Sequence, residues 1–172
     1  MKKYNRHSGY LYNLLIAFSM VLMLTGCSNK DDVISIFTGK TWKLTYISEK
    51  GKNMMYNFWG NDDTAYQSSM NALKSSSNFI IVFEGIDLNG VTGGSFNAYA
   101  TSTSVSGQWS ADGSSNKLTI SNFSAGTDAD VVGKAFVYGL ENAQSYSGDE
   151  NNLFIYYTEG QRTFFLAFAP KK

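Results

Sequence analysis

The sequence predicts a mainly β fold, a β-rich α+β domain in which a strongly curved antiparallel sheet or partial barrel carries one or two packed helices. Apolar and polar residues alternate with a period of two along most of the chain, which is typical of half-buried strands. Two turn signals, Asp112-Gly113 and Glu159-Gly160, separate such runs as hairpin turns do. Helical spacing occurs in two segments, and 172 residues suggest a single domain.

The N-terminal region has the features of a bacterial secretion signal. Basic residues at positions 2, 3 and 6 precede an apolar run over 11–24, which is shorter than the about 20 residues that a spanning helix needs. Two small residues and then Cys27 follow, an arrangement that resembles the lipobox of bacterial lipoproteins. We therefore predict a lipoprotein signal peptide over 1–26 and a lipidated Cys27, whose palmitate-type acyl chains would hold the protein on a membrane.

Residues 27–36 are predicted to form a lipidated tether to a folded domain that spans 37–170. Ser28 follows the cysteine, whereas an aspartate there would resemble the signal for retention at the inner membrane. The run Lys30-Asp31-Asp32 is similar to the surface-export signal of Bacteroidetes lipoproteins, although a solvated tether also carries charge. We expect a lipid anchor in the outer membrane, with the protein at the cell surface rather than on the periplasmic face.

The folded domain begins with two well-marked strands. Trp42, Leu44 and Tyr46 would point to one face of the first strand, while the polar residues between them point to the other. The segment over 78–84 is apolar on both faces, which favours a central strand. Further strands are predicted over 95–100, 104–109, 117–120, 153–157 and 163–168. Pro170 follows the last of them, where its missing N–H ends the pairing.

The first segment with helical spacing covers residues 62–75. Tyr66, Met70 and Leu73 recur there at positions i, i+4 and i+7, which predicts one apolar helix face. Either Asn61 or Asp62 would cap the N-terminus.

The second helical segment covers residues 127–142. Thr127 with Asp130 resembles a capping box, with aspartate in place of glutamate. Gly133 and Gly139 each cost up to about 1 kcal/mol inside a helix, which a close approach to the sheet would offset. The apolar face of this helix is predicted to contain Val132, Ala135, Phe136, Gly139 and Leu140.

Composition excludes several classes of function. The chain has 14 basic and 14 acidic residues, and three of the basic ones lie in the signal, so the mature part has 11 basic residues against 14 acidic ones. No basic stripe is present, and we expect no nucleic-acid partner. The single histidine, His7, would be removed with the signal, and Cys27 would carry lipid. Ser-His-Asp and Cys-His catalysis and the usual zinc and copper sites are therefore excluded, and we expect neither an enzyme nor a bound cofactor or metal.

Aromatic residues are the strongest candidates for ligand binding. Rings exposed outside a sheet, or lining the mouth of a barrel, can stack on sugars or contact an apolar partner. The alternative is that the helices cover this face, so that both faces of the sheet are core. The candidate binding residues are Trp42, Trp59, Tyr99, Trp109 and Tyr156.

Two other patterns favour structural roles. Ser114 and Lys117 have the Ser-x-x-Lys spacing of penicillin-binding enzymes, but they lie in a turn rather than on a helix. Neighbouring carboxylates could act in pairs on a substrate or bind calcium, although helix N-termini and solvated turns also explain them. These pairs are Asp62 with Asp63, Asp128 with Asp130, and Asp149 with Glu150.

Short motifs follow one another in a recognisable order: Gly39–Leu44, Gly94–Tyr99, Val105–Trp109, Leu118–Ile120, a helix with Phe136 and Leu140, Asn152–Ile155 and Phe164–Phe168. This order resembles the META/HslJ-like domain, and more narrowly small uncharacterised lipoproteins of Bacteroides-type bacteria. The resemblance implies a curved sheet or partial barrel crossed by a helix, in an envelope or secreted protein without an established catalytic activity. Phe96 stands where such domains often carry cysteine, so no disulfide or redox role follows.

Three hypotheses for the function remain. The leading one is a lipid-anchored, non-catalytic module of the cell envelope that binds a partner or maintains the envelope, with an extracellular glycan or an envelope protein as partner. The second is a lipocalin-like carrier or sensor of a small apolar or sugar ligand. The third is a carboxylate-dependent enzyme acting on glycans.

Overall fold

A computed structural model of the chain describes residues 32–88 and 91–172. The signal peptide predicted over 1–26, the lipidation site Cys27 and the tether residues before Asp32 lie outside the described residues. Within the described ranges, no helix is long and apolar enough to cross a membrane.

Nine strands and three helices occur in the part of the chain that the structure describes. The strands are β1 (Thr41–Glu49), β2 (Ile80–Phe83), β3 (Ile86–Leu88), β4 (Val91–Tyr99), β5 (Ser104–Asp112), β6 (Lys117–Ala125), β7 (Ala143–Gly148), β8 (Leu153–Glu159) and β9 (Arg162–Pro170). The helices are α1 (Val33–Phe37), α2 (Asp63–Lys74) and α3 (Val131–Glu141).

Eight of these strands close into an antiparallel barrel. They follow the order β2-β1-β9-β8-β7-β6-β5-β4, and β2 also pairs with β4, which closes the ring. The short strand β3 pairs with the beginning of β4 and extends the sheet. The prediction of a mainly β fold with a strongly curved antiparallel sheet is confirmed. Full closure gives each barrel strand a partner on both sides, which protects edges that could otherwise aggregate.

The barrel has two ends, which we name by the course of β1. At the proximal end β1 begins and Trp42 lies opposite Pro170, whereas at the distal end Glu49 lies opposite Phe164. The side chains that face inward are mostly large and apolar, and they are buried in one continuous core. Helix α3 packs on this core from the distal end, where the ring of Phe136 contacts those of Phe79 and Phe168 at 5.8 and 6.2 Å.

Helix α1 closes the proximal end and corrects the predicted extent of the tether. Residues 33–36 are assigned to the tether by the sequence, but Val33 and Ile36 are buried. Phe37 is completely buried, and its ring stacks on that of Trp109 at 4.7 Å. The three buried residues of this short helix lie on one face, so burial in the barrel stabilises a segment that would be too short to be helical alone.

A bulge in β1 changes the predicted alternation of its residues. The register against β9 shifts between Leu44 and Tyr46, and Thr45 is exposed. Beyond the bulge Ile47 is the buried apolar residue, while the ring of Tyr46 contacts Phe165 at 5.8 Å. The prediction that Tyr46 shares a face with Trp42 and Leu44 is therefore wrong, because an extra residue reverses the alternation.

The two predicted helices are present, and the first begins as expected. Asp62 caps α2, and its side chain accepts a hydrogen bond from the Ala65 N–H at 2.9 Å. The predicted apolar face is only partly correct, because Tyr66 is 41% exposed.

Helix α3 begins four residues later than predicted. Its N-cap is Asp130, whose carboxylate accepts hydrogen bonds from the N–H groups of Val132 and Gly133 at 2.8 and 3.0 Å. The capping box with Thr127 is wrong. The carboxylate of Asp128 binds backbone N–H groups of the β4–β5 loop instead, which holds the chain before α3 outside the helix.

The two glycines of α3 are required by different neighbours. A Cβ on Gly139 would lie 2.8 Å from the Tyr157 ring and 3.0 Å from Leu166, so this glycine permits the predicted close approach of helix and sheet. Gly133 instead faces the carboxylate of Asp128, which leaves no room for a Cβ.

Candidate functional site

Two of the predicted binding residues belong to the core. Trp42 is completely buried and Trp109 is 3% exposed. Their indole N–H groups donate to the carbonyls of Phe37 and Glu84 at 3.1 and 3.0 Å. Both tryptophans therefore support the barrel from inside, and neither lines a mouth that a ligand could enter.

Tyr156, predicted to lie outside the sheet, belongs to a cluster of rings on the outer surface of the barrel. Its ring contacts that of Phe165 at 5.8 Å, its hydroxyl lies 3.0 Å from the Ser147 hydroxyl, and the Lys50 ammonium lies over it at 5.8 Å. Helix α3 packs on the inward-facing residues of the same strands, so this helix does not cover the cluster. Tyr99 is half-buried at the end of β4, where it pairs with Ile80 and Ser104.

The remaining candidate, Trp59, lies in an open groove of about 400 Å³ at the distal end. The groove, which we call the Trp59 groove, is formed by the long connection between β1 and α2 and by the first turn of α2. Its exposed surface is apolar and acidic. It is lined by Met54, Met55, Asn57, Trp59, Gly60, Asp62, Asp63 and Tyr66.

The indole of Trp59 is fixed by a chain of hydrogen bonds. Its N–H donates to the Ser69 hydroxyl at 2.8 Å, and that hydroxyl donates to Asp130 at 2.6 Å. Ser69 is completely buried, although it lies on a helix whose other residues are mostly exposed. Because Asp130 also caps α3, the tryptophan is connected to the element that closes the distal end.

The ring of Tyr66 forms the second wall of the groove. It lies 5.0 Å from the Trp59 ring at an angle of 89° between the planes. This edge-to-face arrangement is a favourable geometry for two aromatic rings, so it stabilises the corner that they form. Met54, 74% exposed, adds a flexible apolar side chain.

The loop that carries the groove is held by its own hydrogen bonds. The side chain of Asn57 donates to the Gly60 carbonyl at 3.0 Å and accepts from the backbone N–H of Trp59 at 3.1 Å. Gly60 has a φ of +59°, a left-handed conformation that suits glycine in such a turn. The hydroxyl of Ser48 in β1 donates to the Met54 carbonyl at 2.6 Å, which ties the start of the loop to the barrel.

The groove has a net negative charge. Asp62 and Asp63 contribute two exposed carboxylates, and the lining contains no basic residue. The basic residues of the same loop interact elsewhere: Lys52 pairs with Glu49 at 2.9 Å, and Lys50 lies over Tyr156. The charge of the groove therefore favours a neutral or positively charged ligand over an anion.

In the other carboxylate pairs, the side chains of Asp128, Asp130 and Asp149 have structural partners. Burial alone would raise the pKa of Asp128, but hydrogen bonds from Thr101, Ser102 and the Asp130 N–H lower it below its ordinary value. The backbone N–H groups of Asn151 and Asn152 likewise lower the pKa of Asp149. Among the residues that the structure describes, no three His, Cys, Asp or Glu side chains meet as metal ligands.

The predicted Ser-x-x-Lys pattern also lies in a turn. Ser114 donates from both its N–H and its hydroxyl to Asp112, at 2.8 and 2.6 Å, so the serine closes the β5–β6 turn.

Sequence reasoning identified Trp59 but missed most of its surroundings. The methionines and Asn57 lie in a loop without periodicity. The sequence indicates Asp62 and Asp63 as a helix start, a carboxylate pair or a calcium site, but not as part of an aromatic groove. Tyr66 was assigned to the apolar face of α2. A signal was present in Phe58-Trp59-Gly60, because large rings beside a turn glycine outside any alternating strand are candidates for a surface site.

Comparison with known proteins identifies a family. A family model described as "Domain of unknown function (DUF4847)" matches residues 28–170. The crystal structure of a DUF4847 family protein from Bacteroides vulgatus ATCC 8482 has a TM-score of 0.56 and 24% sequence identity, over 81% of this chain and 99% of that one. At this identity the likeness shows that the two proteins share a fold, and it shows the fold alone. No curated protein matches the chain.

These matches correct the resemblance to the META/HslJ-like domain. The family model assigns residues 28–170 to DUF4847, so that resemblance is wrong. The motifs that suggested it are short alternating strands separated by glycine turns. Such motifs follow from building a small barrel, because inward positions must be apolar and tight turns need glycine, and they do not distinguish one barrel family from another.

Proposed function

This chain belongs to the DUF4847 family, and we propose that it is a lipid-anchored, non-catalytic binding module of the bacterial cell envelope. The Trp59 groove is the observation that carries the proposal. It presents a fixed tryptophan, an exposed tyrosine and two carboxylates at the distal end of the barrel. The membrane would be reached through the lipid on Cys27, and the partner would be an extracellular glycan or an envelope protein.

The position of the groove favours this function. Residue Asp32, where the described chain begins, caps α1 at the proximal end, and the groove follows the other end of β1. The point at which a tether would join the domain, Asp32, thus lies at the end of the barrel opposite the groove. That arrangement suits a partner that lies away from the membrane on which the module is anchored.

The two alternatives have less support. In a lipocalin-like carrier the ligand occupies the barrel, but here Trp42, Trp109 and Phe37 occupy the interior. A glycan-active enzyme needs two carboxylates free to face one bond. Asp128 and Asp130 are instead engaged by backbone N–H groups and by Ser69.

The proposal predicts that retention of envelope material depends on the groove. The full chain, reconstituted in vesicles through its lipid, should retain labelled glycan or protein fractions from the producing cell envelope. Trp59→Ala should abolish most of that retention, because it removes the central wall of the groove. The matched control is Tyr99→Ala, which removes an aromatic ring that lies outside the groove.

Equal retention by the wild-type chain and Trp59→Ala would contradict a binding role for the groove. Recovery of the mature chain in the soluble fraction despite an intact Cys27 would contradict the anchor. Circular dichroism of each variant checks that it is folded.

A further inference from the structure

We propose that the Trp59 groove binds an organic cation, a substituted ammonium group that carries methyl or methylene carbons. This inference rests on the proposed function and names the ligand chemistry of the same site. Three features of the groove lead to it: its charge, its two aromatic walls and the shortage of free hydrogen-bond donors.

The charge of the groove excludes anions and attracts cations. The N-terminus of α2 contributes roughly half a positive charge, which two carboxylates on Asp62 and Asp63 outweigh. The carboxylate of Asp62 accepts one hydrogen bond from the Ala65 N–H, at 2.9 Å, through a single oxygen. In the described residues no ion pair involves either aspartate, so their charge is available to a ligand.

The aromatic walls fit a cation with an apolar shell. The N–H of Trp59 is occupied by Ser69, so the indole offers a ligand its π-face, which carries negative electrostatic potential. Tyr66 stands at 89° to this ring and is 41% exposed, so the two rings form a corner. A substituted ammonium group gains from such a corner because its charge contacts π-electrons while its carbons contact Met54.

The lining is rich in acceptors and poor in donors. The indole N–H of Trp59 and one of the two amide N–H groups of Asn57 already have protein acceptors, so among lining side chains the second Asn57 N–H and the Tyr66 hydroxyl remain as donors, against four carboxylate oxygens. A neutral sugar carries hydroxyl groups that both donate and accept hydrogen bonds. Its oxygen atoms would find few donors in this lining. An ammonium group accepts no hydrogen bonds. It offers N–H donors or, when fully substituted, its positive charge alone, and both suit a lining with two carboxylates.

The experiment compares three probes on the full chain in maltoside micelles, which contain no choline headgroups. Choline is the cation, 3,3-dimethylbutan-1-ol is its uncharged carbon analogue of the same shape, and methyl glucoside represents a neutral sugar. Binding is measured by calorimetry and by tryptophan fluorescence. Trp59→Phe identifies the origin of the fluorescence change, because the other two tryptophans are buried.

We expect choline to bind at least about tenfold more tightly than the uncharged analogue. The double variant Asp62→Asn with Asp63→Asn should weaken the binding of choline about tenfold and leave the binding of the uncharged analogue unchanged. Asparagine is also a good N-cap, so α2 should remain intact. Glu141→Gln, which removes an exposed carboxylate outside the groove, is the matched control and should bind choline like the wild type.

Other outcomes overturn the inference. Equal binding of choline and its uncharged analogue, or preferential binding of methyl glucoside, would show a groove that binds ligands but does not select cations, and the proposed function would remain. If none of the probes binds, the inference fails. The proposed function fails with it only where Trp59→Ala also leaves the retention of envelope material unchanged.

Discussion

At the scale of single residues, buried polar groups fix the distal end of the barrel. Asp128 is 2% exposed and accepts hydrogen bonds from Thr101, Ser102 and Asp130. Asp130 caps α3 and accepts from Ser69, which in turn holds Trp59. The loop between β4 and β5, the start of α3 and the Trp59 groove are thus joined by consecutive hydrogen bonds. Those to the carboxylates of Asp128 and Asp130 are charge-assisted and stronger than neutral ones.

Asp128 should make the stability of the protein depend on pH in the acid range. Its folded pKa lies below the unfolded value of about 3.9, so its contribution is present above that pH and is lost as the pH falls through the folded pKa. We expect Asp128→Asn to lower the free energy of unfolding by about 1–3 kcal/mol at pH 7. The asparagine amide is uncharged and has one acceptor oxygen, whereas the carboxylate offers two charged oxygens to the surrounding N–H groups. Urea unfolding at pH 7 and at several acid pH values measures both effects.

The informative quantity is the difference between the two proteins, since Asp149 and Glu49 also have lowered pKa values. This difference should shrink as the pH falls. Glu141→Gln serves as the control and should follow the wild type throughout. An Asp128→Asn variant whose deficit is the same at every pH would show that the charge of Asp128 does not matter.

At the scale of elements, the contact between α3 and the barrel depends on Gly139. Gly139→Ala would place a Cβ 2.8 Å from the Tyr157 ring, which must then shift together with Leu166. Overpacking of this kind costs about 1–3 kcal/mol, more than the up to about 1 kcal/mol that alanine gains in helix propensity. We therefore expect a net loss of stability, measured as a lower urea midpoint.

Lys134→Ala is the matched control for this prediction. Lys134 lies on the exposed face of the same helix, so its replacement should change stability little. A Gly139→Ala protein more stable than the wild type would mean that the helix has room to move away from the sheet.

Sequence patterns predicted the strands that alternate regularly. In β4 and β5, the expected faces of Phe96, Ala98, Val105 and Trp109 are the buried ones. The hairpin of β8 and β9 was also predicted, because a glycine turn separates two runs that are rich in aromatic residues. In these elements local pattern and tertiary burial agree, so the sequence is sufficient.

The elements that were missed depend on tertiary contacts. In β7 only Tyr146 is a buried apolar residue, and the strand shares one register pair, Lys117 with Ser145, with β6. Helix α1 has five residues, too few for periodicity to show. The bulge at Thr45 leaves no mark in the composition of β1. The groove was missed for a related reason, since loop residues are brought together by hydrogen bonds that no period predicts.

At the scale of the whole barrel, the strands separate two regions with different roles. Helix α1 and the beginning of β1 lie at the proximal end, while the Trp59 groove and the start of α3 lie at the distal end. A strand of nine residues such as β9 spans about 30 Å, and the usual tilt of barrel strands reduces the distance along the axis to roughly 20–25 Å. Ligand binding at one end therefore need not disturb the other.

If Cys27 is lipidated, this separation predicts unequal distances to the membrane. By continuity of the chain, the proximal end follows directly after the tether. A dye on Glu150→Cys, beside Lys40 at the proximal end, should transfer energy to a dye in the vesicle membrane more efficiently than one on Gln161→Cys, in the distal β8–β9 turn. Each added cysteine is the only thiol available for labelling, because the chain has one cysteine and lipid would occupy it. We expect the distances of the two labels from the membrane to differ by about the length of the barrel, roughly 20 Å. Equal transfer from both labels would show that the domain lies on its side, with the groove near the membrane.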